Sequence, residues 1–187
     1  MELHDICEAL KICYERRWIS TRDGNVSIRD NDILYITPSG VRKQDLTPQQ
    51  FTKFTFQSMI QLNNNKPSGE LPMHSKLQPL IGEKTVILHL HPVNVLACLY
   101  RGLDLQSISS DFPELNCYTK VGKTIPICPP VSQELANLVA EEYIRSSFDI
   151  VAIDRHGIVA IGKDIWEAFE HVERLNHACE IVLLANK

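Results

Sequence analysis

The sequence predicts a single domain of α/β (α+β) class with a largely antiparallel sheet. Two hairpin-like patterns are interleaved with amphipathic segments, and no Rossmann or P-loop glycine fingerprint marks regular βαβ winding. The length agrees, because 187 residues can bury about 70% of their unfolded surface around one core. Residues 1–187 are accordingly read as one domain.

In chain order, Leu3, Ile6, Cys7, Leu10 and Tyr14 recur at helical spacing, which predicts a first helix ending near Trp18. The period then changes to two. Residues 25–29 and 33–36 flank the polar turn Asp30-Asn31-Asp32 and predict a β-hairpin. Further strands are expected at 51–56 and 58–62. The patch Asn63-Asn64-Asn65-Lys66-Pro67 ends at Ser68, the expected N-cap of a helix carrying Glu70. Thr85 to His91 reads as a buried strand, with Pro92 in the first turn of a helix running to Arg101. Residues 102–131 give no clear pattern. Ser132 to Ser146 reads as a helix, 149–154 and 158–161 as a second hairpin, and Asp164 with Glu167 as a capping box opening the last helix.

Composition excludes several classes. With 44% apolar and 22% charged residues the chain is neither disordered nor collagenous. Its net charge of −4 is spread over interspersed signs, so no broad basic face is expected to follow nucleic acid or an anionic membrane. No apolar run reaches a membrane-span length, and Met1-Glu2-Leu3-His4-Asp5 carries no signal-peptide pattern. A cytoplasmic location is therefore expected. Cys7, Cys13, Cys98, Cys117, Cys128 and Cys179 are scattered singly and read as reduced thiols.

The chemistry-bearing residues are few. His89 and His91 alternate with Leu90 on the predicted strand, so both imidazoles face one side about 6–7 Å apart, a separation that suits two ligands of one metal. Two histidines hydrogen-bonded within a sheet would give the same pattern, and a third ligand is needed. His156, followed by Gly157 between two apolar runs, lies at a tight hairpin where backbone can crowd a site. Three histidines leave one coordination position open, as catalytic zinc sites do. Glu70 lies in a helical first turn, where a carboxylate is also a dipole stabiliser. His74 follows one turn later on the same face, in a supporting role. Gly24-Asn25 and Thr37-Pro38-Ser39-Gly40 each read alone as ordinary turn chemistry, but hairpin geometry can bring these donor-rich turns near each other, and together such turns can cradle an anion.

Taken in order, Gly24-Asn25-Val26-Ser27, Thr37-Pro38-Ser39-Gly40, Pro67-Ser68-Gly69-Glu70, His89-Leu90-His91-Pro92 and His156-Gly157 resemble the class II aldolase/adducin family over nearly the whole chain. The resemblance implies a three-layer fold, with a central sheet flanked by helices, and a C4 homotetramer with its sites at subunit interfaces. It further implies Zn2+ (or another divalent transition metal) on His89, His91 and His156, with Glu70 as acid-base group. Gly24, Asn25, Ser39, Gly40 and Ser68 match its phosphate-binding turns. The implied reaction is reversible retro-aldol cleavage of a ketose 1-phosphate of the fuculose-1-phosphate type to dihydroxyacetone phosphate and an aldehyde. Two departures stand out: Arg22 where a small hydroxyl residue is common, and Gly69 in place of one serine of the usual Ser-Ser-Glu. Tyr118 is a candidate for the tyrosine that some aldolases supply from a neighbouring subunit. The alternatives within the family are a methylthioribulose-1-phosphate dehydratase or a sugar-acid phosphate decarboxylase on the same metal site. Outside catalysis, the alternative is an adducin-like scaffold.

Overall fold

The computed structural model describes residues 3–185. Six strands form one sheet: β1 (Asn25–Asp30), β2 (Ile33–Ile36), β3 (Thr52–Thr55), β4 (Val86–Leu90), β5 (Ile150–Ile153) and β6 (Gly157–Gly162). Their order is β3-β2-β1-β4-β6-β5, and every neighbouring pair is antiparallel. The helices are α1 (Leu3–Glu15), α2 (Leu71–Leu77), α3 (Val93–Tyr100), α4 (Leu105–Asp111), α5 (Pro113–Tyr118), α6 (Gln133–Ser146) and α7 (Ile165–Ala185).

Side-chain alternation sorts the sheet into two apolar faces. Val86, Leu88 and Leu90 of β4, with Val26, Ile28, Ile158 and Ala160, pack against Ile6 and Leu10 of α1, Val95 of α3 and Val172 and Leu175 of α7. Ile87, Val151, Val159 and Ile161 face the other way, against Met73 and Leu77 of α2 and Leu135 and Val139 of α6. Helix, sheet and helix thus form the expected three layers, with β4 buried throughout.

Four local expectations need correction. Residues 58–62 form no strand. Met59 turns the chain back at φ 52°, and only Gln61 bridges to Phe54, because Ile60 and Leu62 point into solvent and bury nothing that would hold a strand. Ser68 is not the cap of α2. Glu70 takes that position because Pro72, lacking an N–H, must stand in the first turn, and the Ser68 hydroxyl instead accepts the Glu70 N–H at 3.3 Å. At α7, Asp164 accepts the Glu167 N–H, but the Glu167 carboxylate returns to the N–H of Lys163 rather than of Asp164. The fourth concerns β4, which ends at Leu90, so His91 lies one residue beyond the strand.

The unpatterned stretch 102–131 holds α4, α5 and an extended segment. Val121 and Ile125 of that segment bridge in parallel to Ile150 and Ile153 along the outer side of β5. At the opposite end, the side-chain amides of Asn63 and Asn65 donate to the Phe51 carbonyl, and Asn63 Oδ1 accepts the Lys53 N–H, lining the outer side of β3.

Candidate active site

Three neighbouring strands set the site. Asn25 of β1 pairs with His89 of β4, and His89 pairs with Val159 of β6. The turn 154–156 between β5 and β6 brings His156 over the end of β4, and His91 follows directly after it. The His89 ring centroid lies 4.9 Å from those of both His91 and His156, which are 5.3 Å apart. Gly157 makes the convergence feasible: a Cβ there would stand 2.4 Å from the Leu90 carbonyl oxygen and 2.5 Å from His91 Cδ2. Gly24, at φ +74°, lets the chain turn into β1 in a conformation that side chains disfavour.

One nitrogen from each of the three imidazoles lies within 4.8 Å of the other two. His89 Nδ1–H donates to the Ile158 carbonyl at 2.9 Å, which leaves the lone pair on Nε2. That Nε2 is 3.0 Å from His91 Nε2. Burial first, then the neighbouring rings, holds His89 well below the ordinary histidine range and His91 down to about 4. His156 Nδ1 is buried with no hydrogen-bond partner. The His89 Nε2 lone pair, the His91 nitrogen beside it and the unpartnered His156 nitrogen form a donor set that fits a borderline cation such as zinc, which accepts imidazole donors.

Glu70 stands beside this cluster, with Oε1 3.9 Å from His156 Nε2, and is 6% exposed. Its Oε1 accepts the Val131 N–H at 3.1 Å. Below it runs a buried polar chain. Gln78 Nε2 donates to Ser27 Oγ at 3.1 Å, the Ser27 hydroxyl donates to His74 Nδ1 at 2.7 Å, and His74 Nε2–H donates to Asn25 Oδ1 at 2.6 Å. His74, fully buried, is held down to about 3 by desolvation and so stays neutral. Its supporting role is thus the orientation of Asn25.

One cavity of about 230 Å³ is lined by Gly24, Asn25, Ser39, Gly40, Ser68, Glu70, His89, His91 and His156, so the metal, acid-base and phosphate candidates meet there. Arg22, which the sequence reading singled out, lines it as well. The two donor-rich turns are fastened together. Ser39 N–H donates to the Lys66 carbonyl at 2.9 Å and Ser68 N–H to that of Thr37 at 3.1 Å, so these serines present hydroxyls rather than amides. Tyr118 lies elsewhere, 64% exposed on α5 beneath the Arg174 guanidinium. Lys43 and Val131 also line the cavity and were not anticipated. Lys43 is 2% exposed, and its ammonium donates to the carbonyls of Arg22 and Val41, joining the two turns. A basic residue three positions after Gly40 was the available signal; Val131 gave none.

Comparison with known proteins identifies the family and the fold. The family model described as Class II Aldolase and Adducin N-terminal domain matches residues 4–183. An L-fuculose phosphate aldolase of Methanococcus maripaludis is 32% identical, covering 97% of this chain and 98% of its own. A methylthioribulose-1-phosphate dehydratase of Pseudoalteromonas translucida is 29% identical, covering 96% and 90%. Among solved structures, a sugar-phosphate aldolase from Thermotoga maritima superposes with a TM-score of 0.83 at 24% identity, covering 97% and 93%, a likeness of fold. The chain belongs to the class II aldolase and adducin N-terminal domain family. It is an enzyme of the class II aldolase type, a lyase.

Proposed function

We infer that this chain is a zinc-dependent aldolase cleaving a ketose 1-phosphate, of the fuculose-1-phosphate type, reversibly to dihydroxyacetone phosphate and an aldehyde. The observation that supports it best is the convergence of His89, His91 and His156 beside the buried carboxylate of Glu70. The three imidazoles would hold the ion, which when bound supplies Lewis acidity toward the substrate carbonyl. Asn25, Ser39, Gly40 and Ser68, at the turn that begins with Gly24, bind the phosphate through hydroxyl and amide donors. Arg22 and Lys43 bring positive charge to the turns, beside the Asp23 carboxylate. Glu70 carries the proton to and from the carbon that is nucleophilic in the condensation direction. Its burial beside the histidine cluster limits exchange of that proton with bulk water.

Residues 1–187 act as one domain in this reading, working in the cytoplasm as a homotetramer. The six free cysteines support a reducing compartment. No helix among the described residues is long and apolar enough to cross a membrane.

A second reading has specific support, because the dehydratase from Pseudoalteromonas translucida matches nearly as well as the aldolase relative. In it the same donors hold a methylthioribulose-1-phosphate-like substrate, and Glu70 moves a proton during loss of water. Elemental analysis of the purified protein, coupled to product identification with ketose 1-phosphates and zinc or manganese, separates the readings. Stoichiometric metal and dihydroxyacetone phosphate are expected. A dehydrated product instead selects the second reading, and protein without metal under replete conditions refutes both.

A further inference from the structure

We propose that Val131 is a positioning residue for Glu70, and that glycine stands at position 69 to make room for it. The inference rests on the reading of Glu70 as the acid-base group. The hydrogen bond that the Glu70 carboxylate accepts comes from the main chain of Val131 at 3.1 Å, near the long end of the useful range. Val131 presents that N–H from φ +60°, a left-handed conformation that β-branched side chains strongly disfavour. Such a conformation persists only where the surroundings impose it. Here Pro130 precedes it, and on the other side Ser132 both caps α6 and donates to the Pro129 carbonyl at 2.6 Å, which fixes the turn.

The side chain of Val131 lies over Gly69. A Cβ at position 69 would stand 3.1 and 3.3 Å from the two Val131 γ-methyl carbons, whereas Val131 Cβ is at 3.9 Å. Nothing else requires glycine at that position. Gly69 is exposed, and its φ is not among the positive ones. The departure from Ser-Ser-Glu is therefore steric: a serine there would push Val131 outward, and a shift of a few tenths of an ångström weakens a hydrogen bond that already spans 3.1 Å.

The test is a double-mutant cycle of Gly69→Ser and Val131→Ala, which removes the two γ-methyl groups and keeps the Cβ. Three readouts apply: kcat against KM, the unfolding midpoint, and the visible spectrum of the cobalt(II)-loaded protein, which reports the surroundings of the histidine cluster without turnover. Gly69→Ser is expected to lower kcat about ten-fold or more, with KM within about two-fold. It is also expected to alter the cobalt spectrum. In the Val131→Ala background the same change should cost less than about two-fold. Equal cost in both backgrounds overturns the proposal, as does a lower unfolding midpoint with kcat and spectrum unchanged. A parent protein that binds cobalt but turns over no substrate would refute the functional reading, while the spectra would still decide the role of Val131.

Discussion

Gly157, one atom smaller than alanine at its Cα, decides whether three imidazoles meet. The added methyl of Gly157→Ala meets main chain at Leu90 and cannot be relieved by a rotamer change. The variant is expected to lose most of its bound metal and to be destabilised by roughly 2 kcal/mol or more. Full metal stoichiometry with an unchanged unfolding midpoint would contradict this. His91→Ala should lose metal and activity together, whereas Glu70→Gln, isosteric and uncharged, should keep the metal and lose turnover by about 100-fold or more. Metal analysis beside steady-state kinetics tests both, and turnover retained in Glu70→Gln counts against a proton-transfer role. At this scale the sequence was informative where chemistry is local. Alternation places His89 and His91 on one side and Gly157 marks a tight turn at His156, while their reading as one ligand set comes with the family resemblance. Lys43 and Val131 were hidden because their partners, Arg22 and Glu70, lie 21 and 61 positions away.

Elements were legible in proportion to their period and caps. Ser132 accepts the Leu135 N–H at 3.0 Å, as its place before an amphipathic run implies. Ser132→Ala removes this cap and the bond to Pro129, so a loss of about 1 kcal/mol is expected, read as a fall in Tm of about 2–4 °C. A fall below about 1 °C would mean that the cap is redundant. The α4–α5 region escaped detection because its helices are only 7 and 6 residues long, too short to display a 3.6-residue period. The asparagine run reads in sequence only as a polar patch before Ser68, since nothing local reveals that Asn63 and Asn65 serve the Phe51 carbonyl.

For the molecule as a whole, buried neutral histidine couples folding to pH. His74 has a folded pKa of about 3 against 6.5 for the free group, and burial also lowers that of His171. The unfolded chain therefore binds protons that the folded one refuses. The contribution to stability is complete above about pH 6.5 and is lost as pH falls below it, at up to about 1.4 kcal/mol per pH unit for one such group. Urea unfolding of metal-free protein at pH 7, 6 and 5 should show this decline, with a shallower slope in His74→Asn. Identical slopes in parent and variant would remove His74 as the cause. Asp149 acts in a lower window. Although burial raises its pKa, hydrogen bonds from Lys84 and the Lys120 N–H outweigh that and hold it below the usual carboxylate value, so its share is lost only under stronger acid.

The two flanks of the sheet carry a last consequence. A bare strand margin offers unpaired amides and carbonyls to any other chain, which is how sheets grow into fibres. Here residues 121–125 lie along β5, and the side chains of Asn63 and Asn65 occupy the backbone outside β3. Both margins are therefore blunted by irregular segments that do not themselves extend the ladder. Edge-to-edge growth of the sheet through either margin is thereby disfavoured.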